Sequence, residues 1–228
     1  MGIVDIYNNN TDVDRTYGIK KVINLLNTWG VDLKSSKTLD MFAGDGSFCT
    51  DILLSLVSKD SVCWDIDSLK LEKIKTKHNI KTVNDDVISS IKINKDKLII
   101  LKGKDDYLTF THKYGKGKNA IDWLRVAELY EYFDVIPYIK NLFDKECIFI
   151  HNLNSSPYNF DSKSKWALER NYFYNLHDAS KLDIKNTIEF HKNYFQKLNI
   201  KVKKHDIIER EMYQKEVYWW YLIWYLEK

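Results

Sequence analysis

Apolar residues change rhythm several times along this chain, and each rhythm predicts an element. From Arg15 to Trp29, residues Tyr17, Ile19, Val22, Ile23, Leu25, Leu26 and Trp29 recur at the spacing that lines one face of a helix. Gly30 is the expected stop, because glycine accepts the backbone conformations that end helices. Thr38-Leu39-Asp40-Met41-Phe42-Ala43 reads as a short buried strand. It runs into Gly44-Asp45-Gly46-Ser47 and then a helix through Val57. Ser61 to Asp65 predicts a second strand, 68–77 a helix patterned by Leu and Ile, and Ile80 to Val83 a third strand ending at Asn84-Asp85-Asp86.

The rhythm is less regular from 87 to 120, where Lys97–Leu101 and Tyr107–Thr111 each suit a strand. Ala120 to Phe143 is mostly helical in pattern, with a break expected near Pro137. Cys147 to Ile150 is a buried strand. Residues 154–185 are irregular and rich in aromatics, with a helix expected over Lys163–Asn175. Asn186 to Leu198 places Ile188, His191, Tyr194, Phe195 and Leu198 on one helical face, and Ile200–Ile208 and Val217–Leu226 read as two strands. Strands alternating with helices argue for βαβ units and a parallel sheet. The two consecutive strands at the end suggest an antiparallel strand joined through a hairpin-like connection. No repeat or Ser/Pro-rich linker interrupts this order. One domain is therefore expected over 1–228, with a helix at about 15–30 and an inserted aromatic segment at about 154–185.

Composition narrows the class. The 228 residues include 44% hydrophobic and 14% aromatic side chains, too many for a disordered chain. Only 8 Gly and 2 Pro are present, which argues against turn-dense all-β and linker-rich classes. The formal charge of +3, from 35 basic and 32 acidic residues, neither identifies nor excludes a nucleic-acid partner. Cys49, Cys63 and Cys147 are an odd number without metal-type spacing. They suit a reducing compartment with no disulfide framework and no metal site. Met1 to Asp5 lacks a basic stretch followed by an apolar run, and Val217–Leu226 is too short to span a bilayer. A cytoplasmic protein without membrane contact is expected.

The chemistry concentrates where the first strand meets its helix. Gly44 and Gly46 let a ligand approach the main chain closely, and the next helix begins with N–H groups that lack helical partners. Asp65 follows Gly46 by about the interval at which an acidic residue grips ribose hydroxyls in nucleotide-binding βαβ folds. Asp85-Asp86 ends the third strand. Carboxylates at successive strand ends face one rim of a parallel sheet. Cys49 stands at the third glycine of G-x-G-x-x-G, against a dinucleotide fingerprint, and no G-x-x-x-x-G-K-[ST] phosphate loop is present.

Leu39-Asp40-Met41-Phe42-Ala43-Gly44-Asp45-Gly46 resembles the first motif of class I S-adenosylmethionine (SAM) dependent methyltransferases. Its Phe42-x-Gly44-x-Gly46 form is similar to the version common in DNA and RNA methyltransferases. Val62 to Asp67 resembles the second motif, and Asn84-Asp85-Asp86-Val87 the third. The resemblance covers roughly 15–150 and 186–228. It implies an α/β, Rossmann-like three-layer sandwich with a mostly parallel seven-strand sheet and an antiparallel last strand. It also implies roles for individual residues. The main chain at Ala43, Gly44 and Gly46, with Phe42 in the same loop, borders the methionine part of SAM. Asp40 orients the loop or reaches the amino group. Asp65 accepts from the ribose hydroxyls, beside Ile66. Asp86 or Asp85 binds the adenine amino group, and Val87 touches the ring.

The fourth motif departs from the family. Amino-methylating members carry Asp/Asn/Ser-Pro-Pro-Tyr/Phe after the fourth strand, whereas Tyr107 to Gly115 contains no proline. Tyr114-Gly115-Lys116-Gly117-Lys118 is a basic loop there, suited to phosphates or simply a solvated turn. Asn154-Ser155-Ser156-Pro157-Tyr158 is similar to the missing motif. Were Cys147–Ile150 the fourth strand, Ser155 would accept from a flipped base and Tyr158 would stack on it. Otherwise it is a loop after the fifth strand. His112 is a candidate base, and His112 and His151 both have a structural reading as well. Asp40, Asp65 and Asp86 can also serve as helix caps. Cys49 and Cys63 read as core fillers, and Trp219, Trp220 and Trp224 as a buried strand. The Lys run at 201–204 reads as a solvated strand edge. Trp166, Tyr172, Phe173, Tyr174 and Arg170 fall in the insertion, where substrate elements belong.

The expectation is a SAM-dependent methyltransferase acting on a DNA or RNA base. The alternatives are a catalytically silent binding subunit of this fold and a small-molecule methyltransferase. The sequence leaves the oligomeric state open.

Overall fold

A computed structural model describes residues 17–41, 43–44, 49–87, 89, 106–110, 136–143, 145–154, 184–213 and 216–228. In chain order its elements are α1 (Tyr17–Thr28), β1 (Lys37–Met41), α2 (Cys49–Leu56), β2 (Val62–Asp65), α3 (Ser68–His78), β3 (Lys81–Asn84) and β4 (Asp106–Phe110). A 3-10 helix (Ile136–Asn141) follows, then β5 (Glu146–Asn154), α4 (Ile184–Lys197), β6 (Lys201–Tyr213) and β7 (Glu216–Glu227). The strand expected at 97–101, the helix expected at 163–175 and the 120–135 part of the helical stretch expected over Ala120–Phe143 lie outside the described residues.

The strands form one sheet in the order β3-β2-β1-β4-β5-β7-β6. From β3 to β5 every neighbouring pair is parallel, while β7 runs antiparallel to both β5 and β6. The chain reverses its direction of travel across the sheet between β1 and β4. In open α/β sheets that reversal opens a crevice at the carboxyl ends of the strands. This is an α/β, Rossmann-like architecture.

Strand periodicity explains the layers. Ile148, Ile150, Tyr221 and Ile223 turn to one face and meet Ile19, Val22 and Leu26 of α1. On the same side Cys63 packs with Leu53, Leu54, Leu71 and Ile74 of α2 and α3. The intervening residues Leu39, Met41, Val62, Trp64, Phe149, Leu222 and Trp224 turn to the other face. There they meet Phe195 of α4 and Ile139 of the 3-10 helix. Burial on both faces is why these strands read as nearly unbroken apolar runs.

Helix ends follow local chemistry. Gly30 has φ +80°, and the bonds Val31 N–H to Leu26 O and Gly30 N–H to Asn27 O make a Schellman closure of α1. Asn199 ends α4 in the same way, with φ 54° and Ile200 N–H donating to Phe195 O. Pro137 was expected to break a helix. It lies in the first turn of the 3-10 helix, where its missing N–H interrupts no bond, and the helical stretch expected before it lies outside the described residues. Strand ends also differ from expectation. β5 runs four residues past Ile150 and β6 continues to Tyr213, because β7 supplies a paired partner along both. No helix among the described residues is long and apolar enough to cross a membrane.

Candidate functional site

The loops after β1, β2 and β3 emerge side by side at the carboxyl edge, next to the β1/β4 reversal. Gly44 takes φ +60°, a left-handed conformation costly for any residue with a Cβ. A Cβ built there meets nothing within 4 Å, so backbone conformation, not crowding, is what requires glycine.

Asp65, the last residue of β2, holds this loop. One carboxylate oxygen accepts Gly44 N–H at 2.9 Å and the other accepts Asp67 N–H at 2.9 Å. The side chain is 2% exposed. Asp67 in turn caps α3, accepting Leu69 N–H at 3.1 Å and Lys70 N–H at 3.2 Å. The Lys70 N–H bond is the leading reason that the Asp67 carboxyl sits below its usual pKa. The loop after β3 is tied to the same strand. Asp85 N–H donates to Asp65 O at 3.2 Å, and the Asn84 amide donates to Ile66 O at 2.8 Å. The Trp64 indole N–H donates to Asp85 O at 3.1 Å.

Beneath the glycine loop, Asp40 is wholly buried. It lies level with Cys63 on β2 and Thr109 on β4. Burial, with Asp40 nearby, pushes the Cys63 thiol well above its ordinary pKa, which suits a core thiol and not a nucleophile. Asp40, Asp65, Asp67, Asp85 and Asp86 together give this edge an acidic character around main-chain N–H groups. That combination suits a ligand with hydroxyl and amino donors and a positive charge.

No protein-family model matches the sequence, and no curated protein matches it. Solved structures match in shape. A SAM-dependent methyltransferase from Leishmania major gives a TM-score of 0.51 at 10% identity, over 93% of this chain and 72% of its own. The methyltransferase domain of the bacterial protein CtHen1-C gives 0.50 at 12% identity, over 94% of this chain and 98% of that one. This chain has the class I methyltransferase fold. A SAM-dependent methyltransferase from Anabaena variabilis matches at TM-score 0.48 and 9% identity, over 98% of this chain and 90% of its own. At 10% and 12% identity the Leishmania and CtHen1-C likenesses speak for the fold alone.

Within the methyltransferase fold, the structure brings Asp40, Ala43, Gly44, Asp65, Ile66, Asp85, Asp86 and Val87 to one edge. Their surroundings differ. Ile66 is 62% exposed, whereas Val87 is buried in the core beneath its loop. The Asp86 carboxylate accepts the Ser89 hydroxyl at 2.6 Å. Phe42, Gly46, His112, Ser155 and Tyr158 lie outside the described residues. Cys147–Ile150 belongs to the fifth strand, not the fourth, because β4 at Asp106–Phe110 lies between β1 and β5. His151 is buried and accepts the Trp224 indole N–H at 3.0 Å, in keeping with a structural imidazole.

Three residues lie inside the motifs read from the sequence without having been given a role of their own there: Trp64, Asp67 and Asn84. Asp67 carried a visible signal, an Asp directly before Ser68-Leu69-Lys70 at a helix start. Trp64 carried a subtler one, since an indole in a buried strand must find an acceptor.

Proposed function

We propose that this chain is a SAM-dependent methyltransferase whose acceptor is a nucleic-acid base. The observation that carries the cofactor half is the bonding of three adjacent loops through Asp65, with Gly44 left-handed at the switch point. The residues fit the group chemically. Asp65 and Asp86 are acceptors suited to ribose hydroxyls and an adenine amino group, and the Ala43–Gly44 main chain borders the methionine end. Each Asp65 oxygen has capacity for a further donor beyond its backbone bond. SAM supplies an electrophilic methyl on a sulfonium. The protein's task is to hold the acceptor in line with it and exclude water.

The acceptor half rests on sequence. The basic loop Lys113–Lys118 follows β4, and Trp166, Tyr172, Phe173, Tyr174 and Arg170 follow β5. Aromatic and basic groups together suit a splayed base and its phosphates. Incubation with labelled SAM and separate DNA, RNA and metabolite fractions tests this half. Label on a metabolite alone overturns it.

One observation favours a second reading, a binding subunit that uses no cofactor. Asp65 is nearly inaccessible, with both oxygens engaged by backbone. Calorimetry with S-adenosylhomocysteine separates the two readings. Saturable binding supports the enzyme, and no heat at millimolar ligand supports the subunit.

A further inference from the structure

Trp64 joins two of the three loops from a single position. It is 1% exposed and packs in one cluster with Met41 and Val87. Its main-chain carbonyl accepts Ala43 N–H at 3.2 Å, which fixes the start of the glycine loop. Its indole N–H donates to Asp85 O at 3.1 Å. Asp85 stands one residue beyond Asn84, the last residue that β3 pairs with β2. Asp85 N–H still donates to Asp65 O at 3.2 Å, so the indole adds a second tie, to the carbonyl, at the first residue past the paired register. Val87 is buried against the same cluster two residues later, so the segment Asp85–Val87 is held at its start by a bond from Trp64 and at its end by packing.

We infer that Trp64 is a positioning residue for the nucleoside end of the cofactor, setting the height of the Asp85–Val87 segment relative to the glycine loop. This rests on the cofactor reading above. The ring's bulk is not the feature that matters, because bulk alone fills the core without fixing a carbonyl outside the ladder. The donor atom is what matters. Phenylalanine keeps an aromatic ring in the cluster and cannot donate.

The test uses the full chain and calorimetric titration with S-adenosylhomocysteine and with 5′-methylthioadenosine, which lacks the amino-acid part. Wild type is titrated first, and absence of binding there overturns the cofactor reading and this inference with it. Trp64→Phe is then expected to weaken both ligands by the same factor, about three- to tenfold, the usual worth of one hydrogen bond. Leu226→Val removes core volume in the same cluster at the opposite end of the strands, and it should lower Tm while leaving both affinities unchanged. Amide exchange in the ligand-free protein should rise at Asp85–Val87 in Trp64→Phe and not in Leu226→Val. Should Trp64→Phe fail to fold, benzothienylalanine at position 64 keeps the ring's shape and replaces its N–H with sulfur. Wild-type affinity in the variant lacking the donor, or an equal loss in Leu226→Val, overturns the positioning role while the cofactor reading stands.

Discussion

At the carboxyl ends of β1 and β2 the buried charged groups are the carboxylates of Asp40 and Asp65, and Asp65 spends its oxygens on main-chain N–H groups of two loops. On the β5–β7 side they are imidazoles, and they lie among rings. His151 and His191 are 5.2 Å apart between centroids, His191 stacks on Trp224 at 5.7 Å, and His205 stacks on the same indole at 5.6 Å. Both sides bury polarity, with opposite geometry. Asp65 fixes backbone above the strand ends, where the proposed cofactor would sit. The histidines fix other side chains below those ends, where α4 covers the sheet. The first arrangement stabilises the fold by satisfying backbone donors at the carboxyl edge. The second is self-contained.

Four measurements break or sharpen that contrast. Asp65→Ala has the largest expected effect. It leaves Gly44 N–H and Asp67 N–H without their acceptor and should cost about 2–4 kcal/mol of stability. Binding of S-adenosylhomocysteine should be lost to calorimetry. Retained binding would remove the functional meaning of the acidic edge. Trp224→Phe comes next. Deleting the donor to His151 should cost about 1–3 kcal/mol in urea unfolding, with cofactor affinity unchanged within experimental error.

Acidification is third. Burial is the leading cause holding the half-buried His205 below its usual pKa, and Lys192 adds to it. Its neutral form therefore belongs to the folded state, and the unfolded chain takes up the proton first. That contribution is complete above the unfolded pKa, about 6.5, and is lost as pH falls from there toward the folded value. Stability should decline on that descent, and His205→Gln should flatten the slope. The fourth is Lys203→Met, which removes an exposed partner of Glu146. It should move Tm least, because exposed pairs are screened. Its visible effect should be a rise in the Glu146 pKa, which the Lys203 bond chiefly holds down.

How legible these regions were in the sequence differs for physical reasons. The centres of the strands were readable, because Cys147–Ile150 and Tyr221–Trp224 are buried on both faces and carry no polar interruption. Their ends were not. His151-Asn152-Leu153-Asn154 and Glu209-Arg210-Glu211 look like loop, yet β7 pairs with them, across register shifts around Glu209–Met212. Pairing is a property of two segments, and one segment's letters do not contain it. At the candidate site, the placing of Gly44 and Asp65 at neighbouring strand ends was readable from spacing, while the reading of Asp86 came from the resemblance. The hidden part was the direction of the Asp65 carboxylate, turned toward the chain's own N–H groups. The Trp64–Asp85 bond was hidden too, since it joins a residue of β2 to the loop after β3.

The position of β7 has a consequence for how the protein is made. Both of its sheet neighbours, β5 and β6, precede it in the chain, and it lies between them. Until residues 216–227 leave the ribosome, a nascent chain carries two unsatisfied strand edges where the finished sheet has none. Exposed edges of that kind recruit other chains. Synthesis should therefore pass through a late interval in which the molecule depends on chaperones. A ribosome stalled before Glu216 should yield aggregation-prone product even though the acidic edge at β1–β3 has already been translated.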